Sequence, residues 1–117
     1  MEFHPWRPLL LPEDIEKLIA NGKIVEETGA SDFYPVVKLF GGPCTWLLTD
    51  VHPDYPDIAS GLCDLGLGFP ELGSVMVSEI ESLFIVTIER DAFFEAKAPI
   101  SVYARHARAA GYIVEDF

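Results

Sequence analysis

Four short apolar runs, separated by glycine and proline, occupy the centre of this 117-residue chain. Their pattern predicts β-strands over residues 35–40, 45–51, 58–65 and 73–77. Gly41-Gly42-Pro43 predicts a tight turn between the first two strands, whereas residues 52–57, with prolines at 53 and 56, predict a loop. Strands joined by short turns pair with their neighbours in sequence, so these runs predict a mainly antiparallel sheet.

A fifth strand is predicted over residues 84–88, which are rich in β-branched and aromatic side chains. Ser78 is predicted to cap a single helical turn just before it. The glycines at 61, 66, 68 and 73 predict turns and bulges. They do not predict a phosphate-binding loop, because Pro70 interrupts the run and Glu71 follows it.

Helix signals stand on both sides of the strand region. Pro12 suits a first helical position, and the acids that follow it complement the helix dipole. Asn21-Gly22 predicts a left-handed cap that ends this helix. The predicted buried face of this helix comprises Leu11, Ile15, Leu18 and Ile19.

A second long helix is predicted from Pro99 to a cap at Gly111. Its predicted buried face comprises Ile100, Tyr103, Ala104, Ala107 and Ala110. The whole pattern predicts an α+β fold, in which an N-terminal and a C-terminal helix pack on an antiparallel sheet of four to five strands. The length suits a single domain over residues 1–117, with residues 1–11 as an extended arm.

Acidic side chains dominate the charge of the chain. Asp and Glu number 19 against 8 Lys and Arg, which gives a net charge of −11. The stretch from Gly41 to Glu89 contains eight acids and neither Lys nor Arg. The electrostatic field of this negative charge repels phosphate backbones and anionic lipids, so the sequence predicts no direct nucleic-acid binding and no membrane docking. It favours a protein partner that carries positive charge.

The chain shows no signal for secretion or membrane insertion. Its start lacks the features of a signal peptide, and no apolar stretch approaches the roughly 20 residues of a membrane helix. We therefore expect a cytoplasmic protein, in which Cys44 and Cys63 are reduced thiols. Both are interpreted as packed apolar side chains rather than nucleophiles, because the region offers no fixed positive charge.

The main candidate for chemistry is the group formed by His52, Asp54 and Asp57, with Asp50 just before it. One imidazole and three carboxylates within eight residues suit a divalent metal ion. The alternative is a solvated turn whose aspartates accept hydrogen bonds from backbone amides. Because the spacing matches no known metal motif, the sequence predicts no metal and no cofactor.

Short sequence motifs that occur in a fixed order link this chain to a known family. They are Val37-Lys38-Leu39-Phe40, Trp46, Asp50, Asp57, Gly61-Leu62, Glu71-Leu72-Gly73, Ser78-Glu79-Ile80, Ile88-Glu89-Arg90-Asp91 and Phe94. Over residues 9–97 the chain resembles the domain of unknown function 2958 family. The resemblance implies a cytoplasmic accessory protein of bacteria, their plasmids and other mobile elements, with plasmid maintenance or evasion of host defence as its setting. It implies no catalytic residues.

The leading functional hypothesis is a non-catalytic binding or interaction protein with a protein partner. Its candidate binding residues are Trp46, Asp50, His52, Asp54, Asp57 and Glu71. A sharper version is a nucleic-acid mimic, whose charges would be Asp50, Asp54, Asp57, Asp64, Glu71, Glu79, Glu81 and Glu89.

Two other hypotheses remain open. The alternative function is a small metal-dependent hydrolase that uses His52 and nearby carboxylates. A third hypothesis is a homodimer that buries the aromatic side chains of Phe3 and Trp6 in the N-terminal arm. The sequence therefore leaves both a monomer and a homodimer open.

Overall fold

A five-stranded antiparallel sheet in the order β4-β3-β2-β1-β5 organises the fold. The computed structural model describes residues 9–83 and 86–117. The elements are α1 (Pro12–Thr28), β1 (Val37–Gly41), β2 (Cys44–His52), β3 (Tyr55–Asp64), β4 (Glu71–Met76), α2 (Val77–Glu81), β5 (Glu89–Arg90) and α3 (Ile100–Ala110). The predicted α+β class and antiparallel sheet are confirmed. None of the described helices is long and apolar enough to cross a membrane.

The two long helices pack on opposite faces of the sheet. Leu18 of α1 is buried with Trp46 and Leu48 of β2. Tyr103 of α3 is buried in a separate cluster that contains Leu47. Because successive side chains of a strand point to opposite faces, β2 supplies both cores from adjacent positions. This explains why apolar residues occupy the consecutive positions 46–48 of β2 rather than alternate ones.

The prediction that α1 ends at Asn21-Gly22 is wrong, because the helix continues to Thr28 and ends at Gly29. The Asn21 side-chain amide donates to the Thr49 carbonyl oxygen at 2.9 Å. Gly22 lies so close to β2 that a Cβ there would overlap a backbone carbonyl oxygen. Both residues are therefore contacts between α1 and β2, and they resemble a cap only in sequence.

The buried face of α1 is also rotated from the predicted one. Leu18 is fully buried as predicted, but Leu11 and Ile15 are exposed. The buried positions are Asp14, Leu18, Asn21 and Gly22. Two polar side chains occupy this face because each has a specific partner, which a search for apolar spacing does not detect.

The predicted loop over residues 52–57 is mostly strand. β2 continues to His52 and β3 begins at Tyr55, so only Pro53 and Asp54 form the turn. The two prolines are tolerated because one lies in the turn and the other lies near the start of β3. A bulge interrupts the β2–β3 register between Leu48 and Asp50.

Of the four glycines predicted at turns and bulges, two lie in turns and two lie within strands, inside the predicted strands 58–65 and 73–77. Gly66 and Gly68 have positive φ angles of 80° and 89°, as the turn prediction requires. Gly61 and Gly73, by contrast, pair with each other across β3 and β4. A Cβ on Gly61 would overlap the Leu47 carbonyl oxygen, so a close approach of β2 and β3 requires glycine there.

The second half of the chain departs from prediction at two elements. The sequence predicts a fifth strand over residues 84–88. Residues 86–88 are not strand, and the two-residue β5 that follows them pairs with β1. Residues 84 and 85 lie outside the described residues. Ser78 is not the cap of α2, since the helix begins at Val77. Instead, Asp57 accepts hydrogen bonds from both the amide and the hydroxyl of Ser78.

The start of α3 is held in the same way. Asp32 accepts hydrogen bonds from the Ser101 amide at 2.9 Å and from the Ser101 hydroxyl at 2.7 Å. The predicted end of α3 at Gly111 is confirmed, with φ at 85°. Its predicted buried face is confirmed at Ile100, Tyr103, Ala104 and Ala107, whereas Ala110 is exposed.

The predicted arm over residues 1–11 is described only at its last three residues. Leu10 is buried in the core beneath α1, and the amide of Leu9 donates to the Glu81 carboxylate at 3.1 Å. The chain therefore already contacts α2 before α1 begins. Phe3 and Trp6, the proposed homodimer contacts, lie outside the described residues.

Candidate functional site

A cleft of about 340 Å³ lies on the face of the sheet that carries α3. Its floor is formed by β2, β3 and β4, and one wall is formed by Ile100 at the start of α3. Val25 and Ser31, from the end of α1 and the segment after it, complete the other wall. The volume falls in the range of small-ligand sites, which begins at roughly 300 Å³.

A polar row crosses the floor of this cleft. The strand register places Asp50 beside Ser60 and Ser60 beside Ser74, so one carboxylate and two hydroxyls stand on three neighbouring strands. Apolar side chains flank the row at Leu72 and Ile100. The bulge before Asp50 fixes which face receives its carboxylate, because one extra residue reverses the alternation of β2.

The Asp50 carboxylate is only partly satisfied by the protein. The Thr49 hydroxyl lies 2.6 Å from Asp50 Oδ1 and donates to it. Within the described residues, the other carboxylate oxygen of Asp50 accepts no hydrogen bond, and the Ser60 and Ser74 hydroxyls have no partner. The cleft therefore combines one negative charge, free hydroxyls and apolar walls, a set of groups suited to an amphipathic cation.

Three acids of the cation-free stretch, residues 41–89, serve the fold itself. Asp57 holds the start of α2, and Glu81 accepts from the Leu9 amide. Asp64 is 4 % exposed and accepts from the amides of Gly66 and Ile113. Asp50 is half-buried in the cleft. These roles leave Asp54, Glu71, Glu79 and Glu89 as the exposed acids of the stretch, half of the set on which a nucleic-acid mimic would depend.

The ion pairs of the described residues do not involve the cation-free stretch. Lys38 lies 2.6 Å from Glu115 and 3.5 Å from Asp91, and Arg90 pairs with Asp14. Burial alone would lower the pKa of Lys38, but the hydrogen bonds that its ammonium group donates to Glu115 and Asp91, together with their negative charges, outweigh burial and raise it. Both cations are therefore engaged by acids outside residues 41–89, and neither neutralises the surface of that stretch.

The remaining candidate residues are widely separated. Trp46 is 3 % exposed and belongs to the core beneath α1, so its side chain is not available to a ligand. Glu71 is exposed at the first position of β4. The six candidate binding residues are thus divided between the core, the cleft, the first position of β4, the contact with α2 and the β2–β3 turn.

The β2–β3 turn does bring metal-ligating groups together. Ligand atoms of His52, Asp54 and Glu26 all lie within 4.8 Å of one another, and all three residues are exposed. Glu26 lies on α1, and sequence reasoning missed it because it assumed that the helix had ended. The Asp54 amide donates to His52 Nδ1 at 3.1 Å, so a metal bound at that nitrogen would displace this hydrogen bond.

The outer edge of β4 forms a second exposed surface. β4 is the last strand in the sheet order, and within the described residues no strand pairs with its outer side. Five of its six residues are exposed. The preceding loop adds large exposed apolar side chains at Leu67 and Phe69. Lys and Pro, which natural proteins use to protect such edges, are absent from β4.

The two cysteines are free and unsuited to nucleophilic catalysis. Burial raises the pKa of the Cys63 thiol to about 11. Burial and the nearby Asp64 carboxylate also raise the pKa of Cys44. Both thiols are therefore protonated near neutral pH, as their interpretation as packed side chains requires.

The fold and its surfaces describe a small α+β protein without a recognisable catalytic constellation among the described residues. A family model described as "Protein of unknown function (DUF2958)" matches residues 9–114. The chain belongs to this family, as its short sequence motifs indicated. Comparisons with curated proteins and with solved structures gave no match.

Proposed function

We propose that this protein is a non-catalytic binding protein, which takes an extended, basic segment of a partner protein along the outer edge of β4. The observation that carries the proposal is the position of β4 at the edge of the sheet, where five of its six residues are exposed. An extended segment added there gains main-chain hydrogen bonds without any change in the rest of the fold.

Charge supports a basic partner. β4 lies within the stretch that has eight acids and no Lys or Arg, and Glu71 stands at its first position. A second copy of this chain would bring the same uncompensated charge to the edge. A segment that alternates lysine with apolar residues offers opposite charge and fits the two-residue period of a strand.

The loop before β4 supplies apolar contacts to the same partner. Leu67 and Phe69 are 73 % and 79 % exposed, and Leu72 on β4 is 46 % exposed. Clusters of large apolar side chains on a surface are typical of protein-binding sites. We expect this loop to contribute affinity, while the edge of β4 fixes the direction and register of the bound segment.

A peptide that alternates valine and lysine provides a direct test. It is titrated into ¹⁵N-labelled protein, and amide shifts and hydrogen exchange are recorded. We expect shifts confined to residues 65–76 and slower exchange in β4, with a dissociation constant on the order of 10–100 μM. Equal binding of a matched valine–glutamate peptide, or shifts that avoid β4, would contradict the proposal.

Variants of the apolar loop sharpen this test. The double variant L67S/F69S is expected to weaken peptide binding about tenfold, because it removes two exposed apolar contacts. F93S is the matched control, since Phe93 is 93 % exposed and follows β5 at the opposite edge of the sheet. Loss of binding in F93S but not in L67S/F69S would place the peptide at the β5 edge of the sheet and contradict the proposal.

We also propose a setting for this activity, the bacterial cytoplasm, with a role as an accessory factor of plasmids or other mobile elements. Support comes from the family resemblance and from the two free thiols, which suit a reducing compartment. Fractionation of native cells with markers for each compartment tests the location. Recovery of the protein outside the cytoplasm would overturn it.

A second candidate function, metal-dependent hydrolysis, is favoured by the convergence of Glu26, His52 and Asp54. A nitrogen and two carboxylate oxygens suit a divalent transition metal and leave positions open for water. Calorimetric titration with zinc tests this candidate. E26Q and H52A should each weaken binding at least about tenfold relative to the exposed-acid control E79Q. Equal zinc binding by all three variants would remove the candidate.

A further inference from the structure

We infer that the cleft beside α3 binds an alkylammonium group, with Asp50 as the residue that neutralises its charge. The inference is separate from binding at the edge of β4. A strand added at that edge would lie three strand spacings, about 14 Å, from β2. A lysine on the added strand cannot span this distance to Asp50, so the cleft ligand arrives by another route.

The charge of the cleft selects a monovalent cation. Asp50 is the one carboxylate among the residues that line it, and no cation of the described residues pairs with that carboxylate. A single negative charge compensates one ammonium group. A divalent metal ion would require further charged ligands, and an anion would be repelled.

Hydroxyl groups provide the remaining acceptors for an ammonium group. An ammonium group donates three hydrogen bonds. Ser60 and Ser74 stand beside Asp50 in one cross-strand row, and Ser31 lies in the wall of the cleft. Within the described residues the hydroxyls of these three serines have no protein partner. The carboxylate and the neighbouring hydroxyls therefore offer hydrogen-bond acceptors to the ammonium end of the ligand.

The apolar walls accommodate the carbon stem that carries the ammonium group. Val25, Leu72 and Ile100 line the cleft around the polar row. Leu72 is 46 % exposed, so a stem that packs on it removes apolar surface from water. The same chemistry is offered by a free aliphatic diamine and by a lysine side chain, and the test distinguishes these two sources.

The position of Asp50 is maintained by its neighbours. Thr49 is 2 % exposed, and its hydroxyl donates to Asp50 Oδ1 at 2.6 Å. The same hydroxyl lies 3.2 Å from the Ser60 carbonyl oxygen. The bulge in β2 thus holds Thr49 against β3 and directs the carboxylate to the cleft side. This arrangement exists before any ligand binds, which limits the entropy cost of binding.

The test uses ¹⁵N-labelled full chain and four probes. The cations are putrescine and Nα-acetyl-lysine methylamide, and the matched neutral molecules are n-butanol and Nα-acetyl-norleucine methylamide. We expect at least one cation to shift the amides of Asp50, Ser60 and Ser74, with a dissociation constant on the order of 1–10 mM. Binding should weaken as sodium chloride is raised. Whichever cation binds more tightly identifies the source.

D50N is the decisive variant. Asparagine keeps an oxygen for the Thr49 hydroxyl, so the fold is retained and a dispersed amide spectrum checks this. We expect D50N to weaken cation binding about tenfold or more. E89Q, which removes an exposed charge at the opposite edge of the sheet, should leave binding unchanged.

Three results overturn the inference. They are equal binding of cations and neutral probes, no shifts at the cleft for either cation, and unchanged cation binding by D50N. Each of these outcomes leaves peptide binding at β4 intact. Conversely, cation binding in the cleft without peptide binding at β4 would support this inference and contradict the proposed function.

Discussion

Arg90 on β5 donates two hydrogen bonds to the carboxylate of Asp14 on α1, from Nε at 2.7 Å and from Nη2 at 2.8 Å. The second role of Asp14 is to accept from the Leu11 amide at 2.8 Å, which satisfies a donor at the start of α1. One buried carboxylate therefore joins the first helix to the last strand, 76 residues apart.

Removal of the arginine should leave this carboxylate buried without its counter-charge. We expect R90M to lower the free energy of unfolding by about 2–3 kcal/mol, below the usual cost of breaking a fully buried pair because Arg90 is partly exposed. R105M, at an exposed position of α3, is the control and should change stability by less than about 0.5 kcal/mol. Urea unfolding measures both, and equal effects would contradict the assignment.

The same carboxylate should make stability fall in acid. Burial alone would raise the pKa of Asp14, but the hydrogen bonds from Arg90 and Leu11 and the charge of Arg90 outweigh burial and lower it. The stabilisation that ionised Asp14 contributes is therefore complete above the pKa of this carboxyl in the unfolded chain, near 4. It is lost as the pH falls through the lower pKa that Asp14 has in the folded protein. We expect the stability difference between the native protein and D14N to shrink below about pH 4. If this stability difference instead grew as the pH fell, the pKa of Asp14 would have to be raised by folding rather than lowered.

Two paired glycines should respond in opposite ways to the same substitution. In β3, a Cβ on Gly61 would overlap the Leu47 carbonyl oxygen, so G61A is expected to destabilise the fold by about 3 kcal/mol or more. Across the ladder, a Cβ on Gly73 meets nothing within 4 Å, so G73A should be neutral or stabilise by roughly 0.5 kcal/mol. Thermal unfolding of both variants measures this contrast, and similar destabilisation by both would be inconsistent with the strand contacts.

The Cys63 thiol should react slowly with alkylating reagents. Its pKa is about 11, about two units above the ordinary value of 9.0, so the thiolate fraction near neutral pH is about 100-fold smaller. We expect iodoacetamide to modify Cys63 more slowly in the native protein than in guanidinium chloride, by a factor on the order of 100. Peptide mass spectrometry separates it from Cys44. Rapid native labelling of Cys63 would show that its surroundings favour the thiolate.

The strand region was predictable because turn residues mark its boundaries directly. β1, β2 and the turn between them follow from Gly41-Gly42-Pro43, and the end of α3 follows from Gly111. The end of α1 was not predictable, because Asn21 and Gly22 have the residue types of a cap and the role of contacts with β2. Only the position of β2 in space distinguishes these two roles.

The candidate sites show the same limit. His52 and Asp54 were found because they are neighbours in sequence, whereas Glu26 required knowledge that α1 passes the β2–β3 turn. The cleft contains Asp50 from the predicted set, but Ser60 and Ser74 carry no chemical signal alone. Their significance comes from strand register, which sequence patterns do not specify residue by residue.

The two carboxylate-to-serine contacts have a consequence for how the chain folds. Asp32 holds the start of α3 from 69 residues away, and Asp57 holds the start of α2 from 21 residues away. Neither helix carries its own side-chain cap. Short helices without local caps are unstable in isolation, so both depend on chain segments that are distant in sequence. Helix formation here reports completion of the tertiary structure, and a peptide spanning α3 alone should be largely disordered in water.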